Sequence, residues 1–389
     1  MWISTFNSRQ LCTNSHTSSS EDKAMKFRVE RELLSEALSG GARVASNRNN
    51  AMPALSGVQF EVKGDVLVLT STDNDLSVRF ALTVAGLQDG VAVVSAKLIS
   101  DIVRSMPEEK VTVDAQGDEI TVSAGTAEFK IHLFAASDFP NIVTAGTQSV
   151  TISAKVFAES LNQVVRAASS DMQRLALTGV LMVAEPDSVC LVATDSYRLA
   201  VRELPGATML GHGAEIVVPG RALDELERLI GDAETMTMAL GENRATFEVG
   251  SATLTTTLLN VEFPKYKQLI SASYPNKATT AREPFLEAVR RLRILARETT
   301  PVRLEMLKDS IRLSVVTQDL GQGVEELEAK LDGNEITVGF NSQYLLDGID
   351  AISGDEITIE STDPVKPAVL RGVGDKNYLY LVMPQRLTT

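Results

Sequence analysis

Segments with a strand pattern alternate along the chain with segments whose apolar residues follow a helical period. In residues 27–38 a short strand leads into a helix with Leu33, Leu34 and Leu38 on its apolar side, as expected for side chains three or four positions apart. Residues 55–84 instead alternate at a period of two, which is typical of half-buried strands. These patterns predict strands joined to short amphipathic helices.

The strand-to-helix switch recurs along the chain. It is found again at residues 150–161, with Val156 and Phe157 on the apolar face, and at residues 278–289. In the last copy Pro284 falls in the predicted first turn of the helix, where a missing N–H costs little. The copies lie about 125 residues apart, and a fixed period of this kind indicates a repeated architecture.

A second strand–helix–strand unit follows inside each copy, at residues 91–131, 215–259 and 335–374. We therefore predict six copies of one half-domain, each with one helix and about four strands. Two half-domains, related by an internal pseudo-two-fold axis, would pack their helices on antiparallel sheets to make one domain. The predicted fold class is α+β, with three repeated domains at residues 25–148, 149–272 and 273–389.

Residues 1–24 do not share this pattern. They are rich in Ser, Thr and Asn and contain no apolar segment long enough for a signal peptide. We interpret them as a disordered extension or the product of an upstream start codon, with a transit peptide as the alternative.

The overall charge argues against conventional DNA binding. The formal net charge is −14, whereas a protein that holds DNA by neutralising phosphates is expected to be basic. A local basic strip on an acidic body remains compatible with this composition, since acidic surfaces elsewhere repel phosphate. Cys12 and Cys190 form no disulfide framework, so we expect a cytoplasmic protein. No apolar run is long enough to predict a membrane span.

Basic residues occur on most of the predicted helices. Lys97 and Arg104 are seven positions apart, as are Arg221 and Arg228 in the equivalent helix of the second copy, so each pair shares a helix face. The predicted helix at residues 341–352 has no Lys or Arg. The alternative for each residue is an ordinary solvated helix face. The other basic residues on or next to the predicted helices are Arg43, Arg48, Lys155, Arg166, Arg290, Arg291, Arg293 and Arg297.

Catalytic and metal-binding patterns are missing from the sequence. His16, His132 and His212 make no catalytic set with a nucleophile, and neither zinc spacing nor a phosphate-binding loop occurs. Residues 73–75 (Asp-Asn-Asp) resemble a metal-binding pair, but Thr-Asp recurs at residues 194–195, which favours a repeated turn. We expect no metal, no cofactor and no catalytic activity.

Several motifs resemble one family. MKFRVERELL at 25–34, ASDFPN at 136–141, VATDSYRLAV at 192–201, FPKY at 263–266 and LVMPQRL at 381–387 occur in order. With them the chain resembles the beta subunit of bacterial DNA polymerase III, the sliding clamp, over residues 25–387. The resemblance implies a non-catalytic homodimeric ring, lined by helices, that encircles duplex DNA. It implies as partners the replicative polymerase's catalytic subunit, an ATP-dependent clamp loader and other proteins with the clamp-binding motif.

The resemblance also implies site residues. DNA contacts are expected at Arg48, Lys97, Arg104 and Arg221. Phe129 and Ile131 are expected to meet Ile294 and Leu295, on the helix of the third domain, across the dimer interface; the alternative places Phe129 and Ile131 in a domain core. The partner-peptide pocket is expected to comprise Leu177, Thr194, Tyr197, Arg198, Leu199, Pro264, Leu269, Val382, Met383, Pro384, Arg386 and Leu387, with Arg198 and Arg386 as donors at its rim.

Some positions depart from the family pattern. Ser196 and Tyr197 replace Gly and His of the best-known members, and Gln385 replaces a common Met. Leu175 and Ala176 replace aromatic residues common in the family at the loop before Leu177, which leaves open whether this loop contacts the edge of the duplex. Without the resemblance, residues 382–387 would be interpreted as an edge strand with a tail. The alternatives in function are a protein scaffold that does not bind DNA, favoured by the net charge, and a nucleic-acid enzyme, favoured only by residues 73–75.

Overall fold

The computed structural model describes residues 24–45, 52–142, 144, 146, 149–211, 213–297 and 299–387. The interpretation of residues 1–24 and the DNA contact expected at Arg48 therefore lie outside the described residues, apart from Ala24. The chain forms two compact units, one of residues 1–71 with 80–140 and one of residues 72–79 with 141–389. The predicted boundaries at 148/149 and 272/273 stay predictions.

The first unit contains two helices that pack together among antiparallel strands. Strand β1 leads directly into α1, and β6 leads directly into α2, as the repeated pattern predicted. The order β5-β1-β7-β8-β9 makes one five-stranded sheet, and β2 pairs with β3 and β6. The elements are β1 Met25–Glu30, α1 Arg31–Val44, β2 Gly57–Lys63, β3 Val66–Thr72, β4 Leu76–Thr83 (which crosses the unit division), β5 Ala85–Gln88, β6 Gly90–Ser95, α2 Ala96–Ser105, β7 Lys110–Gln116, β8 Glu119–Ala124 and β9 Ala127–His132.

The second unit repeats the same design with four more helices among its described residues. A twelve-stranded sheet has the order β14-β11-β12-β13-β25-β24-β23-β18-β21-β20-β19-β22, and β10, β15, β16 and β17 pair in that order. The elements are β10 Ser149–Ser153, α3 Ala154–Val164, β11 Gly179–Glu185, β12 Ser188–Thr194, β13 Arg198–Pro205, β14 Glu215–Pro219, α4 Gly220–Ile230, β15 Thr235–Leu240, β16 Arg244–Val249, β17 Ala252–Thr257, β18 Asn276–Ala281, α5 Arg282–Arg293, β19 Val302–Met306, β20 Ser310–Thr317, β21 Gly321–Asp332, β22 Ile336–Phe340, α6 Ser342–Asp350, β23 Glu356–Ser361, β24 Ala368–Gly372 and β25 Tyr378–Val382.

The helix faces are narrower than the sequence pattern indicated. Leu34 and Leu38 of α1 and Phe157 of α3 are fully buried, as expected. Leu33 and Val156, which were assigned to the same faces, are 39% and 46% exposed. Both are the third residue of their helix, in its first turn. Helical spacing alone therefore overestimated the width of the buried face.

The Asp-Asn-Asp segment is a turn that occurs twice. Asp73 and Asp195 each accept two backbone N–H bonds within their own turns, at 2.8–3.1 Å. The residue after each of these aspartates has a left-handed φ, 84° for Asn74 and 81° for Ser196. Among the described residues no group of three or more side chains is placed to hold a metal ion. No described helix is long and apolar enough to span a membrane.

Helix α6 lies close against β25 because Gly348 has no side chain. A Cβ built on Gly348 would stand 2.5 Å from Cδ1 of Tyr380 and 3.1 Å from Leu370. Both neighbours are fully buried and have no room to move aside. This contact holds the helix and strand that supply part of the pocket around Tyr197 and Met383.

We predict that Gly348→Ala destabilises the second unit by about 1–3 kcal/mol, the usual cost of overpacking, despite the better helix propensity of Ala. Urea unfolding followed by circular dichroism measures this as a lower midpoint. Gly211→Ala is the control, because a Cβ added at Gly211 would meet no described heavy atom within 4 Å beyond its chain neighbours. A Gly348→Ala variant as stable as the parent protein would contradict the packing argument.

Candidate functional site

Four of the predicted pocket residues form a buried floor. Thr194 ends β12 and Leu199 lies on the adjacent β13, while Val382 ends β25, which pairs with β13. Leu177 ends the short 3-10 helix Met172–Leu177. Each is at most 6% exposed. We call these four buried residues the floor, and they lie where β12, β13 and β25 join the second and third sequence repeats. Leu199 pairs with Leu381 and Val382 pairs with Arg198, so Leu199 and Val382 face opposite sides of the sheet.

The remaining pocket residues surround this floor and are more accessible. Tyr197, Leu269 and Met383 are 57%, 48% and 36% exposed, so large apolar side chains stay open to solvent. The backbone N–H of Met383 donates to the carbonyl of Tyr197 at 2.8 Å, which places these two residues side by side. Pro264 and Arg386 are exposed, and Pro384 and Leu387 are half-buried.

The segment that carries Pro264 and Leu269 is held by its own aromatic residues. Phe263 and Tyr266 are 6% and 7% exposed and belong to one apolar cluster with Leu199 of β13. Burial raises the pKa of the Tyr266 hydroxyl well above its usual value, with nearby Cys190 and acidic groups acting in the same direction. The FPKY motif pointed to this segment, and its two buried aromatic residues, Phe263 and Tyr266, hold the segment in place.

Arg198 does not act as a donor at the rim, contrary to our expectation. Its guanidinium is 11% exposed; Nε donates to Asp195 at 3.0 Å and Nη1 donates to Asp347 on α6. Nη1 also lies 3.4 Å from the Tyr380 hydroxyl. Burial alone would lower the pKa of Arg198, but Tyr380 and Asp347 outweigh it and raise that pKa. The side chain is occupied by two carboxylates inside the protein, and of the two predicted rim arginines only Arg386 is exposed.

Helix α6 contributes residues that the sequence analysis missed. The ring of Tyr344 stacks on Tyr197, with centroids 6.4 Å apart, and the guanidinium of Arg198 lies 4.7 Å from the Tyr344 centroid. Asp347 follows Tyr344 by one turn, and Asn341 caps the helix by accepting the N–H of Gln343 at 2.9 Å. The sequence offered one signal, since this helix lacks Lys and Arg but has acidic residues.

A second missed residue lies in the loop before Leu177. Arg174 donates to the carbonyl of Asp195 at 3.0 Å, which ties the loop to the turn carrying Tyr197. Met172 and Leu175 in this loop are 72% and 41% exposed. This loop, in which the sequence lacks the family's aromatic residues, therefore presents aliphatic side chains to solvent.

Three of the four predicted DNA-contact residues are described, and all are exposed. Lys97 and Arg104 lie on α2, where Arg104 donates to Ser39 at 3.1 Å. Arg221, at the start of α4, forms an ion pair with Asp73. Other helix arginines are also paired with carboxylates at 2.6–3.5 Å, namely Arg166, Arg228, Arg290 and Arg291.

The predicted interface residues lie on two exposed features. Phe129 is 43% exposed on β9, the last strand of its sheet, and Ile131 on the same strand is half-buried. A core position for Phe129, the alternative to the interface, does not fit this exposure. Ile294 is 79% exposed and Leu295 half-buried. They follow α5 rather than lying on it, because the helix ends at Arg293.

Comparison with known proteins accounts for this arrangement. Family models described as the N-terminal, central and C-terminal domains of the DNA polymerase III beta subunit match residues 25–143, 151–265 and 267–386. The three consecutive matches identify repeated clamp domains. The chain belongs to the DNA polymerase III beta subunit family.

Relatives and solved structures agree with this assignment. The beta sliding clamps of Streptomyces coelicolor and Synechocystis are 34% and 30% identical, over 94% and 93% of this chain and 100% of each relative. The Bacillus subtilis sliding clamp has a TM-score of 0.86 at 26% identity, covering 94% of this chain and 100% of that one. The Bartonella birtlesii clamp, solved bound to griselimycin, has the same TM-score and coverage at 27% identity.

We predict that Arg198→Ala destabilises the protein by about 3–5 kcal/mol, since it leaves two poorly exposed carboxylates without their cation. Thermal and urea unfolding measure the loss. Arg312→Ala is the matched control, because its ion pairs are half exposed and such pairs contribute about 0–1 kcal/mol. Equal losses of unfolding free energy in the two variants would show that the buried ion pairs of Arg198 do not stabilise the protein.

Proposed function

We propose that this chain is a DNA sliding clamp that closes as a homodimeric ring around duplex DNA and tethers replication proteins. The observation that carries the proposal is the pair of exposed features at the sheet edge and after α5. Strand β9 pairs only with β8 among the described residues and presents Phe129 at the end of its sheet. An edge strand of this kind invites pairing with another chain.

The second feature supplies a complementary edge. Residues 321–328 of β21 pair with β20, and only residues 329–332 pair with β18. Val324, on the first half of β21, is 61% exposed, and Ile294, which follows α5, is 79% exposed. A head-to-tail contact between β9 of one subunit and this edge of another uses different surfaces on each chain. It closes into a ring when two such contacts form together.

Weak contacts with DNA suit a protein that must slide. Lys97, Arg104 and Arg221, with Arg48 outside the described residues, are proposed to approach the phosphates. Asp73 competes with phosphate for Arg221, and phosphate contacts weaken as salt rises. The net charge of −14 opposes tight adhesion elsewhere. Retention therefore comes from enclosure, and the protein has no turnover of its own.

The pocket is proposed to bind a short extended peptide. Its apolar surface, with flexible Met383 beside Leu269 and Tyr197, suits one or two apolar anchors, which carry most of the energy in such contacts. The proposed guests are the polymerase's catalytic subunit, the ATP-dependent clamp loader and other proteins with the same motif. Tethering makes rebinding intramolecular and raises the effective concentration of polymerase at DNA. A cytoplasmic location fits this role.

We predict that the protein, once loaded, stays on circular duplex DNA at moderate salt and dissociates when the circle is linearised. Gel filtration of labelled protein before and after cleavage measures this. Replacement of Arg48, Lys97, Arg104 and Arg221 by Ala is expected to reduce the loaded fraction. Equal retention on linear and circular DNA would contradict enclosure, and no effect of the four substitutions would favour a scaffold that does not bind DNA.

We also predict that Met383→Ala weakens polymerase binding about tenfold or more, as expected for a central apolar anchor contact. Deleting residues 383–389 is expected to abolish polymerase binding and to leave the dimer intact. The deletion also removes the bond from the Gln385 N–H to the Gly339 carbonyl at 2.8 Å, so the point variant is the sharper test. Val365→Ala, at a side chain 75% exposed elsewhere in the unit, is the control. Undiminished binding by Met383→Ala would refute the pocket.

A further inference from the structure

One face of the twelve-stranded sheet carries an open basin of about 440 Å³ that the proposed function does not use. It is lined by β18, β23 and β24 and by the turn at residues 372–376. Lys277, Glu360 and Arg371 stand on neighbouring strands with their side chains on this face. The basin is therefore built on regular sheet, which holds its side chains in place better than a loop does.

Cations outnumber carboxylates in the basin. Glu360 lies between two of them, with its Oε1 at 3.4 Å from Nζ of Lys277 and its Oε2 at 3.6 Å from Nε of Arg371. One carboxylate faces two cations here, and an incoming carboxylate would complete the pairing.

The turn adds a third cation. Asp375 is already neutralised by Arg202 at 3.0 Å and accepts the N–H of Asn377 at 2.8 Å. Lys376 is exposed at the edge of the basin. The lining holds three cations, Lys277, Arg371 and Lys376, and two carboxylates. Because Arg202, outside the lining, neutralises Asp375, a local formal surplus of two positive charges remains. On a chain with a net charge of −14, such a surface attracts anions where its surroundings repel them.

Strand register connects this basin to the peptide pocket. Lys277 pairs with Glu360, Glu360 with Val369, Val369 with Leu381, and Leu381 with Leu199 of the pocket floor. Cross-strand partners share one face of a sheet. At the usual strand spacing the row spans about 19 Å from Lys277 to Leu199. The basin and the pocket therefore lie on one face of one sheet.

The segment between the two sites sets the length of any ligand that reaches both. Phe263 and Tyr266 pack on Leu199, Leu381 and Val369 in the apolar cluster, so their segment covers the middle of the row. An extended chain advances about 3.3 Å per residue. About six residues would therefore cross from the pocket, over this segment, to the basin.

We propose that the basin binds an acidic segment of the same partner whose apolar anchor occupies the pocket. This inference rests on the proposed function of the pocket and adds a charged second contact to it. Aspartate or glutamate side chains fit the positive surplus, because each brings one carboxylate to the two cations that Glu360 alone pairs with. A nucleic-acid backbone fits less well, because Glu360 at the centre of the basin would repel its continuous line of phosphates.

The test compares two peptides on the full-length protein. Each contains the pocket-binding segment of the host's replicative polymerase, followed by six Gly and Ser residues and then by four Asp or four Asn; a second pair carries the tail at the other end. Fluorescence anisotropy at low and moderate salt measures affinity. With the tail at one of the two ends, the peptide with the Asp tail is expected to bind about three- to tenfold tighter than the peptide with the Asn tail. This is the range for two or three screened charge pairs, and the advantage is expected to fall at higher salt.

Variants of exposed lysines assign the effect to the basin. Lys277→Gln with Lys376→Gln is expected to reduce the Asp advantage below about twofold while leaving the peptide without a tail unaffected. Lys308→Gln, an exposed lysine on the β19–β20 turn outside the basin, is expected to keep the full advantage. Equal affinity of Asp and Asn tails at both ends, or an advantage that survives the double substitution, would overturn the basin alone. A peptide without a tail that fails to bind would overturn the pocket and the basin together.

Discussion

Unpaired strand edges are the constraint on which the rest of this protein depends. Each sheet must end somewhere, and a terminal strand leaves backbone N–H and C=O groups without partners. Inside the twelve-stranded sheet, β13 has no free edge toward β25, because five of its residues pair with five residues of β25. Strand β9 pairs with β8 on one side only, and the first half of β21 pairs with β20 on one side only, so each has an edge that no described strand covers. Both strands also expose apolar side chains. Pairing between two chains would satisfy both edges at once and would close the proposed ring.

The pairing of β13 with β25 also explains where the pocket lies. It brings the turn at Tyr197 beside Met383, although 186 positions separate them in the sequence. Arg198 reinforces the same join by binding Asp195 of its own turn and Asp347 of α6. The proposed pocket thus lies where strand pairing and the ion pairs of Arg198 hold the chain rigidly. A preformed groove of this kind would lower the entropic cost of binding a flexible peptide.

Much of the fold could be predicted because its patterns are local. The strand pattern of residues 55–84 covers β2, β3 and β4. The repeated Thr-Asp turn was recognised from two short copies that have matching hydrogen bonds. The pocket floor followed from motifs. The role of Arg198 could not be predicted, because Asp347 is 149 positions away and no spacing rule links them. The resemblance placed Ile294 on a helix, whereas in this chain the helix ends one residue earlier, at Arg293.

Charge placement separates the proposed surfaces. Helix arginines are largely paired with nearby carboxylates, which favours weak, salt-sensitive contact with phosphates, while the basin around Glu360 keeps a positive surplus on a different element set. Retention on DNA through such weak contacts depends on a closed particle. The most direct measurement is therefore the native mass of the full chain by sedimentation equilibrium. A ring of two chains has twice the chain mass of 41.9 kDa, and we expect Phe129→Asp to reduce this to a single chain mass. A stable species of 41.9 kDa for the unaltered protein at micromolar concentration would contradict it.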